Sequence, residues 1–103
     1  DKFAYTVTKA AVGGLVRSLA VDLGSAKGIL VNGILPGIVD TPMSRGLLKP
    51  EQIDAVINGT PTGRMLIPSD IGNAVYLLAS ELNTAISGQS LLVDNGWSIA
   101  RKI

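Results

Sequence analysis

Tyr5 and Lys9 are the residues whose types and spacing could move a proton. The chain has no histidine and no cysteine, so the side chains that most often titrate near neutrality are missing. An unperturbed tyrosine titrates at about 10 and is a poor base at neutral pH. A fixed cation within reach favours the phenolate and makes the phenol a usable acid and base. In an α-helix, residues four apart lie on one face, a turn above each other. Tyr5-x-x-x-Lys9 therefore places an ammonium beside a phenol if its segment is helical. Taken alone, the pair also fits a half-buried tyrosine packed on a lysine stem, which is the commoner arrangement.

The element that must carry the pair is legible. Val7, Ala11, Leu15, Val16, Leu19, Ala20 and Leu23 recur at helical spacing, while Arg17, Ser18 and Asp22 take other faces. This predicts a helix over residues 4–23, with Gly24 as its C-terminal stop. Ala10, Ala11, Gly13, Gly14 and Ala20 make it rich in small residues. Glycine inside a helix costs about 0.5–1 kcal/mol relative to alanine, which predicts close approach of another backbone to offset it.

After Lys27-Gly28, residues 29–35 form a continuous apolar run, as expected of a strand buried on both faces of a parallel sheet. Pro36-Gly37 ends it. In open α/β sheets ligands bind beyond the carboxyl ends of the strands, so residues 38–43 leave the sheet where a ligand would sit. Read locally, Pro36-Gly37 is a turn and Thr41 an ST-turn or helix cap. Residues 44–67 are mixed, with a short helix beginning at Lys49-Pro50 and a loop over 58–64. A second clear helix runs from Ser69 as N-cap to about Ser80. Residues 90–93 read as a last short strand, closed by Asp94-Asn95-Gly96. Helix, strand, short helices, helix, strand is an α/β order.

Composition narrows the function. Nine basic and eight acidic residues give a net charge of +1, which predicts no attraction to nucleic acid or to an anionic membrane surface. The 47% apolar share suits a folded core. No apolar run reaches the roughly 18 residues of a membrane span. The lack of cysteine excludes disulfides and thiolate metal sites and fits a cytoplasmic protein. The chain opens at Asp1 without an initiator Met and without a strand ahead of its first helix. It reads as the back part of a larger domain.

Together these landmarks resemble the C-terminal half of a short-chain dehydrogenase/reductase. Tyr5-x-x-x-Lys9 with Ala10-Ala11 resembles that family's catalytic pair, and Val31-Asn32, Pro36-Gly37 and Thr41 resemble its next strand and cofactor loop. Gly63-Arg64, Pro68-Ser69-Asp70-Ile71, Leu77-Leu78-Ala79-Ser80, Gly88-Gln89 and Val93-Asp94 follow in the family's order. Several such motifs in order carry far more weight than one. The resemblance implies the C-terminal part of a Rossmann-like doubly wound parallel sheet. It also implies hydride transfer between NAD or NADP and a small carbonyl or alcohol substrate.

On this resemblance Tyr5 is the general acid/base. Lys9 lowers the tyrosine pKa and binds the nicotinamide ribose. Pro36 and Gly37 let the backbone approach the cofactor, Ile38 meets the carboxamide through its backbone, and Thr41 reaches the carboxamide or pyrophosphate. No metal is implied, and a homo-oligomer, dimer or tetramer, is. The family's glycine-rich turn and catalytic serine would fall ahead of Asp1, so residues 1–103 alone are expected to be inactive. Asn95 stands where the family usually has glycine, and asparagine is the next best residue for a left-handed turn. The alternative is a non-catalytic oligomerisation or interaction module built on the same fold.

Overall fold

The computed structural model describes residues 2–100. Four helices and two strands follow in the order α1 (Lys2–Lys27), β1 (Gly33–Pro36), α2 (Pro42–Leu47), α3 (Pro50–Gly59), α4 (Pro68–Ala79) and β2 (Ser90–Val93). β1 and β2 pair in a two-stranded sheet. Gly33 N–H donates to Gln89 O and Gly37 N–H to Val93 O, each at 2.8 Å. Both partners advance together along the chain, so the ladder is parallel. The chain divides into two compact units, one of residues up to Ile34 with Leu77–Leu91, the other of Leu35–Tyr76 with residues from Leu92 on. No helix of the described residues is long and apolar enough to cross a membrane.

In the first unit α1 is held by its second half. Val16 is its one buried residue, and its methyl lies 3.2 Å from where a Cβ on Gly33 would stand. Nearer the helix end, Ala20 lies 3.5 Å from the corresponding point on Gly88, which adopts a left-handed φ of +72°. α1 does not stop at Gly24. Ser25, Ala26 and Lys27 continue the helix, and Gly28 takes the left-handed conformation (φ +65°) that ends it. There the Gly28 N–H reaches Gly24 O at 3.0 Å and the Ile29 N–H reaches Leu23 O at 3.3 Å, satisfying carbonyls that a helix end leaves open. The expected close neighbour of Gly13 and Gly14 is not present among the described residues. A Cβ on Gly14 would meet nothing within 4 Å, and one on Gly13 only the Arg17 guanidinium at 3.7 Å.

β1 begins at Gly33, four residues later than predicted. The preceding residues are engaged differently. Ser87 Oγ accepts from Val31 N–H at 3.1 Å, Asn32 Nδ2 donates to Ile86 O at 2.7 Å, and Asn32 Oδ1 accepts from Gln89 N–H at 3.2 Å. Side chains thus replace part of the backbone ladder. The strands are also less covered than the apolar run implied, for Leu35, Leu91 and Leu92 are exposed.

The second unit has the denser core. Val56 of α3, Met65, Leu66 and Ala74 of α4 are buried. Buried Thr60 donates its hydroxyl to Val56 O at 2.7 Å. α4 starts two residues earlier than predicted, with Pro68 as its first residue and Ser69 inside the helix instead of capping it. Proline suits a first helical position. Asp70, two residues on, reaches back to accept from Ile67 N–H at 2.8 Å, half of a capping box.

Candidate active site

In the first unit, Tyr5 and Lys9 lie on the first turns of α1 and share a face, as their spacing requires. The Lys9 ammonium stands 5.6 Å from the Tyr5 ring centroid, within cation–π reach. Tyr5 is 67% exposed among the described residues. From Tyr5 to the anchor at Val16 the helix rises about 17 Å at roughly 1.5 Å per residue. The pair therefore lies on the exposed half of α1, away from its buried anchor.

In the second unit, β1 ends at Pro36 and the chain turns over Asp94. A Cβ on Gly37 would lie 2.8 Å from Asp94 Cβ and 2.9 Å from Asp94 Cα, so only glycine fits that crossing. Hydrogen bonds from Ser98 and then from the Gly96 amide hold the Asp94 carboxyl below the usual carboxylate range. Asn95 follows with φ 56°, the left-handed turn its position required.

The loop after Gly37 is seated on the strap of residues 65–67. Val39 forms a parallel bridge with Leu66, and Asp40 N–H donates to Leu66 O at 2.7 Å. Leu66 is 3% exposed, the most buried of the core residues. The strap is fixed in turn by Arg64, whose guanidinium donates to Met65 O at 3.0 Å and to both Asp70 oxygens at 2.7 and 3.0 Å. Arg64 above all, then the Ile67 N–H, pulls the Asp70 pKa from 3.8 to about 2.

Thr41 is the N-cap of α2, with extended backbone (φ −137°, ψ 162°) and Pro42 at the first helical position. Of its two local alternatives, the helix cap is the one present. Thr41 Oγ accepts from Ser44 N–H at 3.2 Å, and Ser44 Oγ accepts from Thr41 N–H at 3.0 Å. Arg45 donates to both Asp40 oxygens at 2.6 Å, which lowers the Asp40 pKa. The Ile38 N–H meets no acceptor among the described residues. The Thr41 hydroxyl proton has only a 3.3 Å contact to Ser44 Oγ. An unpaired amide and a spare hydroxyl donor in one loop suit the oxygens of a carboxamide or phosphate. Gly37, Ile38 and Thr41 thus share the loop that follows Pro36 at the end of β1, and Tyr5 and Lys9 form one pair.

Sequence reading missed α2 and its clasp. The pattern Thr41-Pro42-x-Ser44, a cap followed by a first-turn proline, is the signal that could have found it.

Residues 1–98 match the protein family described as enoyl-(acyl carrier protein) reductase. The chain belongs to the short-chain dehydrogenase/reductase family. It is 41% identical over 93 residues to 7alpha-hydroxysteroid dehydrogenase of Escherichia coli K12, covering 90% of this chain and 36% of that protein. The short-chain dehydrogenase/reductase segment seen here thus spans little over a third of that relative. Among solved structures, a 7α-hydroxysteroid dehydrogenase complexed with NADH and 7-oxo glycochenodeoxycholic acid superposes with a TM-score of 0.84 at 40% identity, over 89% of this chain and 36% of that one. ElxO with NADP bound gives 0.76 at 31% identity, over 92% and 39%. The fold is accordingly part of the Rossmann-like α/β sheet of these dehydrogenases.

Proposed function

We propose that residues 1–103 are the C-terminal part of a single-domain NAD(P)-dependent oxidoreductase that interconverts a carbonyl and an alcohol. The observation that carries this reading is the Tyr5–Lys9 pair, sharing one helix face with the ammonium 5.6 Å from the ring centroid, in a chain of this family. When bound, the nicotinamide supplies or takes the hydride. In the reducing direction Tyr5 Oη gives its proton to the carbonyl oxygen as the carbon gains the hydride. In the oxidising direction the phenolate takes the alcohol proton. Lys9, on the same helix face as the phenol, would hold the nicotinamide ribose. Gly37 gives the loop its close turn, and the Ile38 N–H and Thr41 hydroxyl donate to the carboxamide or the pyrophosphate.

The substrate side of the reading rests on α2. Met43 and Leu47, four apart, are 75% and 76% exposed, and they follow directly on the cofactor loop. An apolar wall of this kind suits a carbonyl or alcohol on an apolar frame. Exposed Phe3, Val7, Leu15 and Val21 along α1 support burial of that helix in a homo-oligomer or against further chain.

Titration of the complete polypeptide with NAD and NADP, followed by turnover on secondary alcohols and ketones of apolar frame, tests the proposal. Saturable binding of at least one dinucleotide and its reduction by an alcohol are expected. Binding of neither would refute it. Residues 1–103 alone are expected to bind neither with micromolar affinity.

A further inference from the structure

The clasp inside the cofactor loop goes one step beyond the reading above, on which it rests. Ser44, half-buried in the first turn of α2, has a single hydroxyl proton. Its shortest acceptor is Val39 O at 2.6 Å, ahead of Thr41 O at 3.0 Å. The same oxygen accepts from Thr41 N–H at 3.0 Å, while the Ser44 amide donates to Thr41 Oγ at 3.2 Å. One residue therefore holds the loop before Thr41, the amide of Thr41 and the side chain of Thr41.

These contacts divide the donors of the two hydroxyls. With the Ser44 proton committed to Val39 O, and Thr41 Oγ already accepting from an amide, the Thr41 proton keeps only the 3.3 Å contact to Ser44 Oγ. That is the longest bond of the network and the weakest. The Thr41 side chain is fixed in place yet its donor remains available. The Asp40–Arg45 pair closes the same segment, but both partners are solvent-exposed or nearly so, and such pairs are screened by salt.

We infer that Ser44 is a positioning residue for cofactor binding, acting by holding the Thr41 amide and side chain in place.

The test uses the complete polypeptide in four variants: Ser44→Ala, Thr41→Val, the double variant and Ser44→Thr. Dinucleotide affinity is measured by calorimetry, kcat and KM by turnover, and exchange of the Thr41 amide in the free protein by NMR. Loss of a neutral hydrogen bond of this kind corresponds to about a fivefold to tenfold change in affinity. Ser44→Ala is expected to raise Kd and the cofactor KM by that factor, with a smaller fall in kcat and faster exchange at Thr41. Ser44→Thr is expected to restore most of the loss. In a Thr41→Val background the Ser44→Ala effect is expected to shrink to about twofold or less, because coupled residues are not additive. An unchanged Kd in Ser44→Ala, or the same factor in both backgrounds, overturns the inference. A parent protein that binds neither dinucleotide overturns instead the reading beneath it.

Discussion

Gly37→Ala is the sharpest perturbation the fold offers. The added methyl would stand 2.8 Å from Asp94 Cβ, 2.9 Å from Asp94 Cα and 3.4 Å from Leu66 Cδ1. Two of these atoms belong to buried Asp94, whose carboxylate accepts from Gly96 N–H and Ser98 N–H, each at 2.9 Å. Relief by rotating a side chain is therefore closed, and the backbone must shift. The shift would stretch the Gly37–Val93 hydrogen bond of 2.8 Å. Overpacking of this kind costs about 1–3 kcal/mol. Gly37 does not have a positive φ, so alanine would also gain about 0.4–1 kcal/mol by restricting the unfolded chain. The net expectation is a loss of about 1–2 kcal/mol. Gly72→Ala is the control, because its Cβ would meet nothing within 4 Å on the exposed side of α4. It is expected to gain about 0.5–1 kcal/mol from helix propensity. Urea unfolding of parent and both variants, with the slope held common, reads the difference. If Gly37→Ala proved as stable as Gly72→Ala, the close crossing over Asp94 would be refuted.

Three further outcomes are expected. The Asp70 carboxyl is depressed from 3.8 to about 2, so its contribution is fully present above the unfolded value and is lost as pH falls through the folded one. Asp70→Asn should flatten the fall in stability between those two values, and high salt should do the same; an unaltered acid unfolding curve would count against the strap. Asn95 carries a buried Nδ2 with no partner among the described residues and a φ of 56°. Asn95→Gly removes both costs against a smaller entropy loss, and a gain of about 1 kcal/mol in chemical unfolding is expected. Lys9→Met should weaken dinucleotide binding and turnover together, because the lysine serves both; an effect on one alone would divide its proposed roles.

The long helix and the Tyr5–Lys9 face were legible because a period of 3.6 repeated over several turns leaves little choice. Its end was not, since Gly24 and Gly28 both suit a stop, and it is Gly28 that takes the left-handed φ of +65°. The start of β1 was obscured for a related reason. Val31 and Asn32 are apolar and polar in a run that reads as strand, yet Ser87 and Asn32 side chains supply their hydrogen bonds. Of the candidate site, Gly37 and Thr41 could be placed from the sequence. Six-residue α2 is too short to display a period, and the Asp40–Arg45 and Arg64–Asp70 pairs, five and six residues apart, join across turns that no helical or strand repeat encodes.

The role of Tyr5 is tested most directly by kcat of Tyr5→Phe in the complete polypeptide, with dinucleotide affinity measured alongside. A positioned acid/base contributes about 10²–10⁴-fold to the rate. Turnover should fall within that range while dinucleotide binding stays within a few-fold of the parent. A variant that keeps more than about a tenth of the parent kcat, against that range, would contradict proton transfer by Tyr5.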